Sequence, residues 1–261
     1  MNQPLYIIKV GGNIIDDEHK MDLFLAAFSA LKGNKILVHG GGKMATKMAE
    51  TLNIPQEMVD GRRITNAETL KIVTMVYAGY INKTIVAKLN AFNNRAVGIT
   101  GADAETIIAH KRIHPQLDFG FVGDIDAVNP EFILSMLNQQ LTIVVAPITQ
   151  DKKGQLLNTN ADTVAQEIAK AMSATFDTTL IYSFEKKGVL LDVEDDNSVI
   201  PLITNESFQQ LKKEERIFAG MLPKLENALQ AIEAGVKRVV IGDAAELQSL
   251  VNGTTGTSIS S

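Results

Sequence analysis

Apolar residues recur along the chain in short, β-branched runs separated by longer stretches of helical periodicity. The runs predict strands at Leu5–Val10, Lys35–His39, Ala96–Thr100, Thr142–Pro147, Thr179–Ser183 and Arg238–Ile241. Between them the 3.6-residue pattern predicts helices at Asp22–Lys32, Lys43–Leu52, Ala67–Leu89, Pro130–Asn138, Ala161–Met172, Glu206–Leu211 and Pro223–Ala234. A further helix is expected to start near Asp16. Asn66 and Asn205 read as helix starts, and Pro223 suits a first turn, where a missing N–H costs nothing. Strands that are apolar on both faces and alternate with helices imply an α/β fold, with an open, mostly parallel central sheet sandwiched between helices. Two segments break the rhythm. Glu57–Thr65 and Ile107–Ile125 alternate and carry the turn signals Asp60-Gly61, Asp118-Phe119-Gly120 and Gly123-Asp124, which predict β-hairpin lid elements. A soft boundary near residue 175 divides an N-terminal lobe, 1–175, from a C-terminal lobe, 176–261, on one continuous sheet.

Composition narrows the chemistry. The 261 residues contain no cysteine, which removes disulfides, thiolate nucleophiles and cysteine-ligated metals. A net charge of −5, no tryptophan and few aromatics argue against a nucleic-acid surface. No stretch approaches the ~20 apolar residues of a membrane span, and no secretory signal opens the chain, so a cytoplasmic location is expected.

The candidate chemistry lies in four turns. Lys9-Val10-Gly11-Gly12-Asn13 and His39-Gly40-Gly41-Gly42-Lys43 each follow a strand and precede a helix, at the sheet edge where ligands of open α/β folds bind. Glycine lets successive N–H groups turn toward an anion. Neither turn is a Walker A loop, because Leu37 and Met44 stand where that motif requires glycine and Ser or Thr, and neither matches Gly-x-Gly-x-x-Gly. Either turn alone is equally well a tight strand-to-helix connection. In the third cluster, Asn158, Asn160 and Asp162 alternate before an apolar helix. Helix capping explains Asn160 and Asp162 but leaves Asn158 over. The fourth, Gly220-Met221-Leu222-Pro223-Lys224, puts a lysine in a helix first turn, the unfavourable end for a cation unless it faces an anion. Together the turns read as a phosphoryl-transfer site.

The ordered set Lys9-Val-Gly-Gly, His39-Gly-Gly-Gly, Gly61-Arg62-Arg63-Ile64-Thr65, Gly101-Ala102-Asp103, Gly120-Phe121-Val122-Gly123, Asn158-Thr-Asn160-Ala-Asp162 and Gly220-Met221-x-x-Lys224 resembles the amino acid kinase superfamily, and within it the N-acetylglutamate kinases. The resemblance implies transfer of a phosphoryl group from ATP, with Mg²⁺ held by phosphates, to the γ-carboxylate of an N-acylglutamate, a step of arginine biosynthesis. It implies Lys9 and Lys224 as transition-state stabilisers oriented by Asp162, and Gly41, Gly42, Arg63 and Asn158 as the acceptor subsite. Gly11, Gly12, Asn160, Gly220 and Met221 fall on the nucleotide side, with no protein ligand to metal. Gly11, Gly12 and Gly41 would offer N–H groups to the moving phosphoryl. The acceptor site and dimerisation fall to the N-terminal lobe and ATP to the C-terminal one. The run Phe184-Glu185-Lys186-Lys187-Gly188 departs from the family by one added residue, with Glu185 in place of the usual acid, and Ala219 replaces a common glycine. The implied homodimer, insensitive to arginine, would pack through Ala67–Leu89 around Met75 and Tyr77. The acyl group is left open between acetyl and longer, carboxylated groups such as succinyl. The rival readings are a superfamily relative acting on aspartate, glutamate, carbamate or a nucleoside monophosphate, and a non-catalytic sensor that binds an amino acid or nucleotide without turnover.

Other signals are read plainly. His110 and His114 have zinc-like spacing, but Pro115 follows and a solvated ribbon is expected. Arg62 is expected in solvent, His39 as a strand terminus, and the acidic run Asp192–Asp196 as an exposed hairpin tip.

Overall fold

The computed structural model describes residues 3–59, 62–192, 194–214, 216 and 221–260. Its strands are β1 (Pro4–Val10), β2 (Asn34–His39), β3 (Glu57–Val59), β4 (Arg62–Ile64), β5 (Ala96–Ile99), β6 (Ile107–Lys111) and β7 (Gly123–Val128). They continue with β8 (Thr142–Val145), β9 (Ile148–Gln150), β10 (Leu156–Asn158), β11 (Asp177–Phe184), β12 (Leu202–Ile203), β13 (Arg238–Asp243) and β14 (Thr257–Ile259). The helices are α1 (Gly12–Ile15), α2 (Glu18–Ala30), α3 (Gly42–Thr51), α4 (Ala67–Thr74), α5 (Asn82–Ala91), α6 (Pro130–Asn138), α7 (Ala161–Met172), α8 (Asn205–Lys213), α9 (Leu222–Glu233) and α10 (Leu247–Asn252).

Eight strands form the main sheet in the order β12-β14-β13-β11-β1-β2-β8-β5, parallel throughout except between β13 and β14. Burial explains this arrangement: Leu5, Ile7, Leu37, Val38, Ile143, Val144, Leu180 and Ile181 are inaccessible, so both faces of the central strands need helical cover. Two apolar clusters supply it. One packs α6, α7 and α9 against one face, and the other packs α2, α4 and α5 against the opposite face.

The two irregular segments are antiparallel pairs, as expected. β3 pairs with β4, and β6 with β7 in a second, four-stranded sheet ordered β10-β9-β6-β7. The segments are stitched together at Thr65 and Gly120, where the Phe121 N–H donates to the Thr65 carbonyl at 2.6 Å. Gly120 has φ +70°, and a Cβ there would run into that carbonyl, so the stitch requires glycine.

Three local expectations change. The helix expected near Asp16 is two pieces, α1 from Gly12 and α2 from Glu18, because Asp17 accepts the Lys20 N–H and caps the second. The Asn205 helix is capped by Thr204 in a reciprocal pair with Ser207, making Asn205 the first helical residue. The long helix at Ala67–Leu89 is interrupted by a π-helix at Met75–Ile81. There Tyr77 turns into the core at 6% exposure, while Met75 and Tyr80 stay 57% and 64% exposed, so Tyr77 is not a surface residue.

Candidate active site

Because β1, β2, β8 and β11 are parallel, their carboxyl ends share one edge of the sheet, and the polar turns converge there. Lys9, next to last in β1, lies between Tyr182 of β11 and Val38 of β2. Asp162 opens α7, whose cap Asn160 accepts the N–H groups of Asp162 at 2.8 Å and Thr163 at 3.2 Å. Lys224 sits in the first turn of α9. The Lys9 ammonium meets Asp162 Oδ1 at 2.8 Å, and the Lys224 ammonium meets Oδ2 at 2.6 Å. Two cations from remote parts of the chain therefore share one carboxylate. Burial alone would push Asp162 up, but Lys9 and Lys224 outweigh it and hold the carboxyl well below its usual range. The Tyr182 ring lies 5.9 Å from the Lys224 ammonium, and its hydroxyl donates to the Asp162 carbonyl at 3.4 Å. With two ammonium groups against one carboxylate, the point is net positive and suited to an anion.

The glycine turns adjoin this point and each other. A Cβ on Gly40 would lie 3.9 Å from the Gly12 nitrogen. Among the described residues no acceptor meets the N–H of Gly12, Gly41 or Gly42, which open α1 and α3. Gly11 is a correction: its N–H donates to the Ser183 carbonyl at 3.1 Å and is not free for a phosphoryl group. That bond ties the end of β1 to the end of β11, beside Phe184. Gly41 has φ +150°, and a side chain there would collide with Ile81 and press the Tyr77 ring. His39 fixes the turn from below. A carbonyl can only accept, so its Nδ1 carries the proton and donates to Gly40 O at 2.8 Å, while Nε2 accepts from Asn82 at 3.3 Å. Burial pulls His39 down to about 4, so the ring is neutral at pH 7.

Beside the turns lies a cavity of ≈ 180 Å³ walled by Gly40–Gly42 and Asn158–Ala161 on one side and by the ribbon residues Met58, Arg62, Arg63, Arg112 and Val122 on the other. Arg63 is 7% exposed and spends its donors on neutral groups: Gln56, the Gly42 carbonyl at 2.9 Å and Thr46 at 2.9 Å. No carboxylate among the described residues pairs with it. Asn158 donates to Thr65 Oγ1 at 3.0 Å, which fixes its amide at the rim. Tyr77, its phenol pushed up by burial against the opposing pull of Arg63, closes the floor. Arg62 is exposed, as expected, yet still lines the cavity. The sequence pattern did not place Tyr77 or Arg112 at this cavity, which both of them line. For Arg112 the one signal was its place in the alternating ribbon segment that also carries Asp124.

A second cavity, ≈ 300 Å³, is lined by Gly11, Gly12, Asn13, Gly42, Lys43, Phe184 and Glu185. Glu185 bonds to Asn13 and lies 3.8 Å from Lys20, which draws the loop after β11 over the first glycine turn. Met221 precedes the first residue of α9 without a capping side-chain bond and packs against the core, and Gly220 lies outside the described residues. His110 is exposed and bonds Asp126 at 2.7 Å on the outer ribbon.

A model of the amino acid kinase family matches residues 4–243. The chain belongs to this family. Among similar members, the acetylglutamate kinase of Phocaeicola vulgatus is 52% identical over 99% of both chains. That of Cytophaga hutchinsonii is 54% identical over 96% of this chain and 95% of its own. The solved structure of smu.665 from Streptococcus mutans superposes with a TM-score of 0.78 at 27% identity, covering 98% of each chain. The family's fold is the open, mostly parallel sheet described above, flanked by helices.

Proposed function

We infer that this chain is an ATP-dependent kinase that phosphorylates the γ-carboxylate of an N-acyl-L-glutamate to an acyl phosphate, the reaction named for its acetylglutamate kinase relatives and a step of arginine biosynthesis. The observation that carries the reading is the Lys9–Asp162–Lys224 cluster beside a cavity whose nearly buried Arg63 has no carboxylate partner among the described residues. A buried guanidinium without a counter-charge is costly, and a substrate carboxylate would relieve it. Its fork suits a carboxylate better than a point charge would.

The chemistry needs no general base, because a γ-carboxylate with a reference pKa of about 4.3 is already ionised at pH 7. Its oxygen forms the new bond to phosphorus while the bond to the ADP oxygen breaks. The chain's task is to bring two anions together and stabilise the charge between them. Lys9 and Lys224 supply cations, Asp162 keeps both ammonium groups aimed at one place, and the Gly12, Gly41 and Gly42 N–H groups supply fixed dipoles. The ≈ 300 Å³ cavity, with Lys43 and the openings of α1 and α3 on its wall, suits the polyphosphate. Both Asp162 oxygens are taken, and no group of three carboxylate or imidazole side chains among the described residues could cage a metal. Mg²⁺ would therefore be held by the phosphates and would neutralise their charge. Retention of both lysines and Asp162 favours turnover over passive sensing.

The assembly proposed is a homodimer packed through the outer face of α4, the π-helix and α5, where Met75 and Tyr80 are exposed. Light scattering across a dilution series should give twice the chain mass, and a constant monomer mass would refute it. No helix of the described residues is long and apolar enough to cross a membrane, and the proposed compartment is the cytoplasm. Coupled ADP release with ATP, Mg²⁺ and N-acylglutamates tests the activity. Acceptor-dependent ADP production is expected, and saturable binding of both substrates without it would establish the sensor instead.

A further inference from the structure

The acceptor cavity holds more positive charge than an N-acylglutamate with an uncharged acyl group can use. Three guanidiniums line it, those of Arg62, Arg63 and Arg112, and the one carboxylate paired with any of them among the described residues is Asp124. The γ-carboxylate of the acceptor must point away from them, toward Lys9 and Lys224. Only the α-carboxylate is left for the arginines, and Arg63, backed by Asn158, is placed to take it.

Arg112 is built as a presented group. Its backbone N–H is fixed to the Val122 carbonyl at 2.7 Å just past the end of β6. Its Nε donates to the two Asp124 oxygens at 3.0 and 3.1 Å, and Nη2 bonds the same carboxylate. The guanidinium stacks over the buried Phe119 ring, 5.7 Å from its centre. Asp124 thus occupies one edge of the fork. The Nη1 group makes no bond among the described residues, and Arg112 opens on the cavity beside the apolar Met58 and Val122. An ion pair serving only to join β6 and β7 would not need a free edge on the cavity wall. A guanidinium held by stacking and a carboxylate has already lost its rotamer freedom, so it can bind an anion at little further cost.

We propose that the acyl group on the glutamate nitrogen itself ends in a carboxylate, as in N-succinyl-L-glutamate, and that Arg112 is the residue that recognises it. Met58 and Val122 flank the methylenes, and the acyl carboxylate is a spectator while the γ-carboxylate attacks phosphorus. This rests on the acylglutamate kinase reading above and deepens it.

The test is steady-state kinetics of the full chain with three acceptors: N-acetyl-, N-succinyl- and N-succinamoyl-L-glutamate, the last matching succinyl in length without its charge. Wild-type kcat/KM should favour N-succinyl over both others by about tenfold or more, the size of one charge-assisted hydrogen bond. In Arg112→Gln the succinyl-to-acetyl ratio should fall by about 10- to 100-fold, through KM for the succinyl substrate rather than kcat. Equal or better use of N-acetyl-glutamate, parity of succinyl with succinamoyl, or an unchanged ratio in Arg112→Gln would overturn the assignment and leave the kinase standing. If Arg112→Gln does not fold, the three wild-type acceptors decide alone. Phosphorylation of none of them would overturn the kinase reading together with this one.

Discussion

Asp162 draws two lysines from remote parts of the chain to one point. Both its oxygens face ammonium groups, and the role proposed for it is to hold Lys9 and Lys224 in register. Lys224→Ala removes a charge on which developing negative charge depends and should lower kcat by about 10²–10³ with a smaller change in KM for the acceptor. A variant with full kcat in the ADP-release assay would show that Lys224 is not at the reacting group. His39 makes a prediction about stability. Its folded-state pKa is depressed to about 4 from 6.5, so between those values the unfolded chain takes up a proton that the folded chain refuses. Stability should be fully present above pH 6.5 and should fall by about 2 kcal/mol between pH 7 and pH 5 from this group. Urea midpoints at the two pH values measure it, and His39→Asn should flatten the difference.

At the scale of elements, chain order and hydrophobic period were enough to find the central strands and most helices, since buried parallel strands read as unbroken apolar runs. Lys9, Asp162 and Lys224 were legible for the same reason: each is tied to a strand end or helix start that pattern alone locates. Three-dimensional constraints were not legible. Gly11 looks like Gly12 in sequence, and only the position of the Ser183 carbonyl separates a structural N–H from a free one. Tyr77 looks like a surface residue of a regular helix. The π-helix adds a residue to the turn and rotates Tyr77 and Ile81 onto Gly41, and nothing in the 3.6-residue pattern announces that. Arg112 was hidden because its ribbon ends in a charged cluster that resembles any solvated tip. The Gly41 contact can be tested. Gly41→Ala combines a disfavoured φ with collision against Ile81 and should cost about 2–4 kcal/mol of stability in urea unfolding. Gly154, also at positive φ but with open space around it, should tolerate alanine with a loss of about 1 kcal/mol.

In the whole molecule, β1 and β11 form a seam: seven registered residue pairs join a strand from each side of the proposed lobe boundary into one sheet. Lys9 and Asp162 stand on one side of that seam in sequence and Lys224 on the other. Cutting the chain in the turn between α7 and β11 would leave two pieces, each ending in a raw sheet margin that fits only its counterpart. Expressed separately, neither piece should turn over ATP. Mixed, they should knit along β1 and β11 and regain catalysis with second-order kinetics, which would make the molecule a natural two-part reporter of proximity.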